Sequence, residues 1–331
     1  MTKKQNVSAL HFRDDVYGDH DVSEPILLDL LASRAINRLR FVSQAGATSL
    51  VRPGRSVTRY EHSVGVMILT KILGGSVLEQ AAGLLQDASH TAFSHTIDYV
   101  FKNRSEEFHE SIFKSVIADS DVPGILSKHG VDWESLFESS NIKLVDAPAP
   151  LLCADRIDYT LRDLVRFGYV KSSDARYFIT SLFVNNGVIV CADENLAERF
   201  VLWYVYLVEN LFMNPLELYI HDEFASIIRD AMQIGLVTNL DIIGVDSDII
   251  DKLMIYPSTR DRVNLLLSTR DVIADETHNG HRIYSKARTI DPLILIKREI
   301  VPLSQLKPNM ASLWTNILRI GTEGLVVRRV L

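Results

Sequence analysis

Residues 84–95 read Leu84-Leu85-Gln86-Asp87-Ala88-Ser89-His90-Thr91-Ala92-Phe93-Ser94-His95. The apolar run Ala81 to Leu85 ends at an acid, and two imidazoles follow closely. A buried ionisable group is costly unless it is paired or bound to a metal. Asp87 is therefore expected at the inner end of a helix, where something must meet it. Upstream, His62 sits in Arg59-Tyr60-Glu61-His62-Ser63; downstream come His109-Glu110 and then Asp155 within Leu151-Leu152-Cys153-Ala154-Asp155-Arg156-Ile157-Asp158-Tyr159. Two carboxylates and several imidazoles at inner positions of a helical body suit a divalent metal. A lone imidazole on an apolar helix is more often a hydrogen-bonded core residue, and a lone Asp after an apolar run is often a helix-end residue. On spacing alone the metal reading and the core reading stand even.

The surrounding chain predicts a mainly α fold. Apolar periodicity marks helices over 24–41, 58–73, Glu79 to Asp87, Thr91 to Phe101, Glu106 to Ile117 and 148–167. Pro25, Pro148 and Pro150 suit helix starts, and Gly74, Gly75 and Gly168 suit helix ends. Leu182 to Val190 places β-branched runs on either side of Asn186-Gly187, a hairpin signal. Helices over 195–213 and 217–233 follow, and β-like runs recur at Leu293 to Ile296 and Leu325 to Val330. The expected architecture is a helical bundle over 1–215 with a small β-hairpin, then a mixed α+β C-terminal region over 216–331 that could form an oligomer interface. Pro215 is the only local mark of that boundary.

The chain has 331 residues, 47% hydrophobic and 23% charged, enough to bury a sizeable core. A net charge of -7 disfavours an extended nucleic-acid surface. Cys153 and Cys191 cannot form a disulfide framework and are expected as buried free thiols in a reducing compartment. There is no apolar run long enough for a membrane span, and no apolar stretch follows the basic N-terminus. Disorder is expected only at the ends, such as Met1 to Ser8. These observations point to a soluble cytoplasmic protein.

The order of the polar residues resembles the HD-domain phosphohydrolase superfamily, whose metal ligands run His, then His-Asp, then Asp. It is most similar to the branch containing the deoxynucleoside triphosphate triphosphohydrolases. The resemblance begins near Asp14-Asp15-Val16-Tyr17-Gly18 and covers about the first two thirds of the chain, through Arg162-Asp163. It implies an HD-domain helical bundle and a divalent metal (Mn, Fe, Mg, Ni, Co or Zn) on His62, Gln86, Asp87 and Asp155. It implies a catalytic set of His90, His95, His109 and Glu110, with His95 as proton donor or leaving-group stabiliser. It also implies substrate contacts from Arg59, Arg156 and Arg162 to phosphate, and from Gln44, Tyr159 and Asp163 to sugar. Such relatives commonly form homo-oligomers. Arg52, Arg55 and Arg166 have weaker counterparts and read as surface ion pairs.

Three departures qualify the match. The family's His-Asp doublet is Gln86-Asp87, and an amide oxygen is a weak, neutral ligand beside imidazole. Three readings of that change stay open: an introduced substitution, a natural tolerance of a weaker metal, or a binding module that has lost hydrolysis. Ala45 follows Gln44, where a bulkier residue would exclude a ribose 2′-hydroxyl. The face of helix Phe200 to Asn214 carries Trp203, Tyr204, Val208, Phe212 and Asn214, with no Arg for distal phosphates. The function implied is hydrolysis of a nucleotide, foremost a dNTP to deoxynucleoside and triphosphate, weakened or lost through Gln86. The alternative is a catalytically silent nucleotide-binding sensor or scaffold.

Overall fold

The structure, a computed structural model, describes residues 9–138, 142–277 and 281–330. The polar start at 1–8 lies outside them. The chain is mainly helical, and among the described residues it carries three small sheets, two of them in or reaching into a mixed C-terminal region.

Strands β1 (Leu10–Asp14) and β2 (Gly18–Val22) open the fold as an antiparallel hairpin. No strand was expected there, because Gly-Asp-His-Asp-Val has little apolar alternation. Its turn is held by Asp14, whose carboxylate accepts the backbone N–H groups of Val16 and Tyr17 at 2.8 and 2.9 Å.

The helix expected over 24–41 is divided into α1 (Pro25–Leu31), α2 (Arg34–Arg38) and a 3-10 turn, Leu39–Phe41. Ser33 makes the break: its hydroxyl accepts the Ile36 N–H at 3.2 Å and caps a new helix. The apolar positions on both sides stay buried, so the periodicity survived the break. Helices α3 (Arg59–Ile72) and α4 (Val77–Leu85) each start with a capping box, Thr58 with Glu61 and Ser76 with Glu79. The helix expected over Thr91 to Phe101 contracts to α5 (Thr96–Val100), because 86–95 coils as tight turns with Phe93 and Ser94 in left-handed backbone, φ 57° and 46°. Next comes α6 (Phe108–Ala118). Then α7 (Ala154–Arg166) starts later than the expected 148, leaving both prolines in the preceding loop.

Strands β3 (Leu182–Asn185) and β4 (Val188–Cys191) form the expected hairpin, with Asn186 and Gly187 at φ 50° and 78° as a two-residue turn requires. Helix α8 (Glu194–Leu207) runs on into a π-helical turn, Val208–Phe212, before α9 (Pro215–Gln233) and α10 (Asp246–Ile255). Strands β5 (Val272–Ala274) and β6 (His281–Ile283) flank β9 (Leu325–Arg329). Strand β7 (Leu293–Ile296) pairs in parallel with β4 and antiparallel with β8 (Glu299–Pro302).

Among the described residues two apolar cores result. The larger joins α3, α4, α7 and α8 and includes Ile283, Ile290 and Ile294 from the C-terminal region. The smaller joins Ala47, Phe93 and Ile97 to Ile220, Phe224 and Ile228 of α9. Phe93 meets Phe224 edge to face at 4.7 Å, an arrangement worth about 0.5–1.5 kcal/mol beyond area burial. That contact fastens the 86–95 turns to α9.

Candidate active site

Helices α3 and α7 and the turn after α4 bring His62, Asp155 and Asp87 together. His62 Nε2 lies 2.9 Å from Asp155 Oδ1 and 3.4 Å from Asp87 Oδ2. Its other nitrogen, Nδ1, is 2.8 Å from Asp158 Oδ2. Asp158 is fully buried and accepts further bonds from Tyr17 Oη (2.7 Å) and from Arg162 Nε and Nη2 (2.9 Å each). A carboxylate behind an imidazole fixes which nitrogen faces forward, the support that metal-ligating histidines usually have. Burial works against a charged His62, yet its bonds to Asp155 and Asp158 and the charge of Asp87 raise its pKa to about 10. Arg59, buried on the same helix, donates from Nη1 to Asp87 Oδ2 at 2.7 Å and from Nε to Ser94 at 3.0 Å. Gln86 Nε2 donates to Asp155 Oδ1 at 2.9 Å. The donors are thus closed on one another and on Arg59. Among the described residues no group of three or more His, Cys, Asp or Glu stands as a ready metal cage.

Beside this cluster three imidazoles meet. His90 stacks on His109 at 3.8 Å, and His95 meets the two edge-on at 5.1 and 5.4 Å. Burial and the neighbouring cations push His90 well below the usual histidine value, and burial with His95 pulls His109 down to about 3, so both are neutral. His109 Nδ1 is buried with no hydrogen-bond partner among the described residues. His95 is the member that lines a cleft; its Nδ1 lies 3.0 Å from Asp98, which also accepts the Phe108 N–H at 2.9 Å. Asp98 orients that ring. Glu110 is exposed and makes no hydrogen bond to these imidazoles.

The turns carrying His90 and His95 are pinned from outside. Arg38 donates to the carbonyls of Ala88 (2.9 Å), His90 (2.7 Å) and Gly244 (2.7 Å). Asp246, at the start of α10, accepts the N–H groups of Phe93 (2.7 Å) and Ser43 (3.0 Å).

A cleft with about 1010 Å³ of empty space opens in front of His95. Gln44, Arg59, Tyr159 and Asp163 line it, together with Ala45. Gln44 donates to Asp163 at 3.2 Å and leaves its own Oε1 unpartnered. Burial lifts the Asp163 carboxyl to about 6, against the Gln44 bond. Two residues with expected phosphate roles lie elsewhere. Arg156 turns to the carbonyls of Ala147 and Leu151, and Arg162 is consumed by Asp158 and Asp14. Arg52 and Arg55 do line the cleft, Arg52 paired with Glu217 at 2.6 Å, whereas Arg166 pairs with Glu61 at 2.7 Å.

No protein-family model matches the chain. It is 39% identical over 291 residues to the uncharacterized protein YdhJ of Bacillus subtilis, spanning 87% of this chain and 89% of that one. It is 34% identical over 239 residues to the metal-dependent phosphohydrolase cns2 of Cordyceps militaris, spanning 70% and 69%. The chain belongs to the HD-type, metal-dependent phosphohydrolase family. Over 105 residues this phosphohydrolase is also 36% identical to the deoxynucleoside triphosphate triphosphohydrolase SAMHD1 of Danio rerio, covering 27% of this chain and 17% of that one. A solved structure of a hypothetical protein from Aquifex aeolicus shares the fold, with a TM-score of 0.71 over 92% of this chain and 94% of the other at 21% identity. Among the described residues, no helix of the phosphohydrolase is long and apolar enough to cross a membrane.

Sequence reading of this phosphohydrolase missed Asp98, Arg38, Asp246 and the C-terminal side of the cleft. Asp98 had a signal, three residues after His95 on a helix start. Arg38 and Asp246 had none, because they act on backbone groups far away in sequence.

Proposed function

We propose that this phosphohydrolase acts on a nucleotide, foremost a deoxynucleoside triphosphate, releasing deoxynucleoside and triphosphate, with its metal site weakened by Gln86. The observation that carries this reading is the attachment of two groups to one cleft. Arg59, bonded to Asp87 of the His62–Asp87–Asp155 set, and His95 of the His90–His95–His109 trio both line it beside Gln44, Tyr159 and Asp163. The donor chemistry fits a small divalent cation. His62 Nε2 lies 2.9 Å from an Asp155 oxygen and 3.4 Å from an Asp87 oxygen, close to the edge that bonds of about 2.0–2.2 Å produce around such an ion. His62, Asp87 and Asp155 would hold it, with the Gln86 amide oxygen as a weak fourth donor after rotation. When bound, the metal supplies Lewis-acid polarisation at the phosphorus centre.

The chain's own residues do the rest. Asp158 keeps His62 Nε2 facing forward. Asp98 keeps the His95 ring turned so that its other nitrogen can pass a proton to the leaving oxygen. Neutral His90 and His109 pack around His95 and add no positive charge to that of Arg59. Gln44 Oε1 and Asp163 offer acceptors to sugar hydroxyls, and Ala45 leaves room at the sugar.

A second reading, a silent nucleotide-binding sensor or scaffold, is favoured by one observation: Gln86 donates to Asp155 and Arg59 neutralises Asp87, so the cluster is balanced without a metal. Turnover assays over nucleoside mono-, di- and triphosphates with added Mn separate the two. The enzyme reading expects triphosphate release from a dNTP. Equal activity on a ribonucleoside monophosphate refutes the dNTP assignment. Thermal stabilisation by nucleotide, with no turnover even in Gln86→His, favours the sensor.

A further inference from the structure

The cleft has a wall built by the C-terminal region that no expected site residue explains. Arg288, from the segment between β6 and β7, lines the cleft beside His95 and Tyr159. Its guanidinium lies over the Phe212 ring at 5.2 Å, where the π-helical turn places it. Its acidic partner is Glu106, buried and in left-handed backbone at φ 57°. A non-glycine residue persists there only when its surroundings over-determine it. Here they do: Glu106 Oε1 accepts the Lys286 N–H at 2.8 Å and the Ser285 hydroxyl at 3.4 Å, while Oε2 takes the Arg288 guanidinium. One carboxylate thus clamps the 285–288 segment across the cleft and also engages its cation.

Four other arginines are poorly placed for an anion arriving in this wall, and Arg55, which also lines the cleft, is exposed to solvent. Arg59 is committed to Asp87 and Ser94, Arg52 to Glu217, and Arg156 and Arg162 point away. Among the described residues Arg288 keeps spare donors: beyond Glu106, its Nη1 makes only a 3.3 Å contact with the Lys286 carbonyl. A guanidinium with unused N–H groups in a partly desolvated cleft is suited to bidentate phosphate binding.

We propose that Arg288 is an anion-binding residue of this cleft, specific for the phosphate chain of the ligand, and that Glu106 competes with the ligand for it. The proposal rests on the cleft being the substrate site. Burial alone would raise the Glu106 carboxyl, but Arg288 and His95 hold it near 2, so the competitor is charged at any working pH. The two duties of Glu106 are separable. In Glu106→Gln the amide oxygen can still accept the Lys286 N–H, while the charge that competes with phosphate is gone.

The test is calorimetric binding in EDTA, which prevents turnover, with three probes: dATP, inorganic tripolyphosphate and uncharged deoxyadenosine. The proteins are wild type, Glu106→Gln and the double variant Glu106→Gln/Arg288→Gln, which removes both partners and leaves no orphaned buried charge. Tripolyphosphate should bind Glu106→Gln several-fold more tightly than wild type. It should bind the double variant about tenfold more weakly than Glu106→Gln, the loss expected for charge-assisted bonds. Deoxyadenosine affinity should be the same in all three. If Glu106→Gln weakens tripolyphosphate binding, or the double variant binds it as tightly as Glu106→Gln, the proposal is overturned. Tripolyphosphate binding that follows this pattern while dATP fails to bind upholds Arg288 and refutes the nucleotide reading instead.

Discussion

Gly65→Ala tests how tightly the support beneath His62 is packed. Gly65 lies on α3, three residues after His62, against Asp158 and Arg162 of α7. A Cβ added there would fall 2.0 Å from Arg162 Nη2 and 2.1 Å from Asp158 Oδ1. Neither side chain can retreat. Asp158 is 0% exposed and already accepts from His62, Tyr17 and Arg162, and Arg162 is also tied to Asp14 at 2.9 Å. Alanine gains about 1 kcal/mol of helix propensity over glycine. Against that, overpacking costs roughly 1–3 kcal/mol, and separating a buried ion pair costs about 3–5 kcal/mol. The balance is a net loss of about 3–7 kcal/mol. At about 1.4 °C per kcal/mol for 331 residues, the melting temperature should fall by at least about 4 °C. Because His62 hangs from Asp158 through Nδ1, metal-dependent activity should fall in the protein that remains folded. Scanning calorimetry on the purified variant is the assay. A melting temperature within about 2 °C of wild type would mean that α3 and α7 have room at this crossing, and the packed-support reasoning would fail.

Gln86→His should raise both metal occupancy and hydrolysis above a low wild-type level, read by elemental analysis beside turnover; full occupancy in the Gln86 protein would sink this claim. Asp98→Asn should lower kcat by roughly 10–100-fold with KM little changed, because it releases the orienting hold on the proton-donating His95; an unchanged kcat would remove Asp98 from the mechanism. Ala45→Leu should depress turnover of ribonucleotides more than of deoxyribonucleotides, by steric exclusion at the sugar; a parallel loss on both would place Ala45 away from the 2′ position.

Much of the site was legible because its ligand-type residues interrupt apolar helices, and that pattern survives in sequence whatever the backbone does. His62, Asp87 and Asp155 converge as their order implied, and the three imidazoles sit beside them. Helix ends were less legible. Ser33 divides a continuous apolar period by capping a second helix, and 86–95 trades regular helix for left-handed turns that Phe93, Arg38 and Asp246 hold in place. Charge placement was the least legible. Nothing in the string Asp155-Arg156 says that the guanidinium turns to the carbonyls of its own preceding loop. Nor does it say that Arg288, far along the chain, takes a place in the cleft. Both depend on tertiary packing, which spacing does not encode. The Phe200 to Asn214 helix lacks an arginine, and the cleft draws one from β6–β7 instead.

The most direct measurement is Mn-dependent product release from a deoxynucleoside triphosphate by the wild-type protein, with Asp155→Ala and Gln86→His alongside. The account predicts saturable turnover that EDTA abolishes, that Asp155→Ala abolishes and that Gln86→His increases. Turnover that survives both EDTA and Asp155→Ala contradicts it, as does the absence of turnover in wild type and Gln86→His alike.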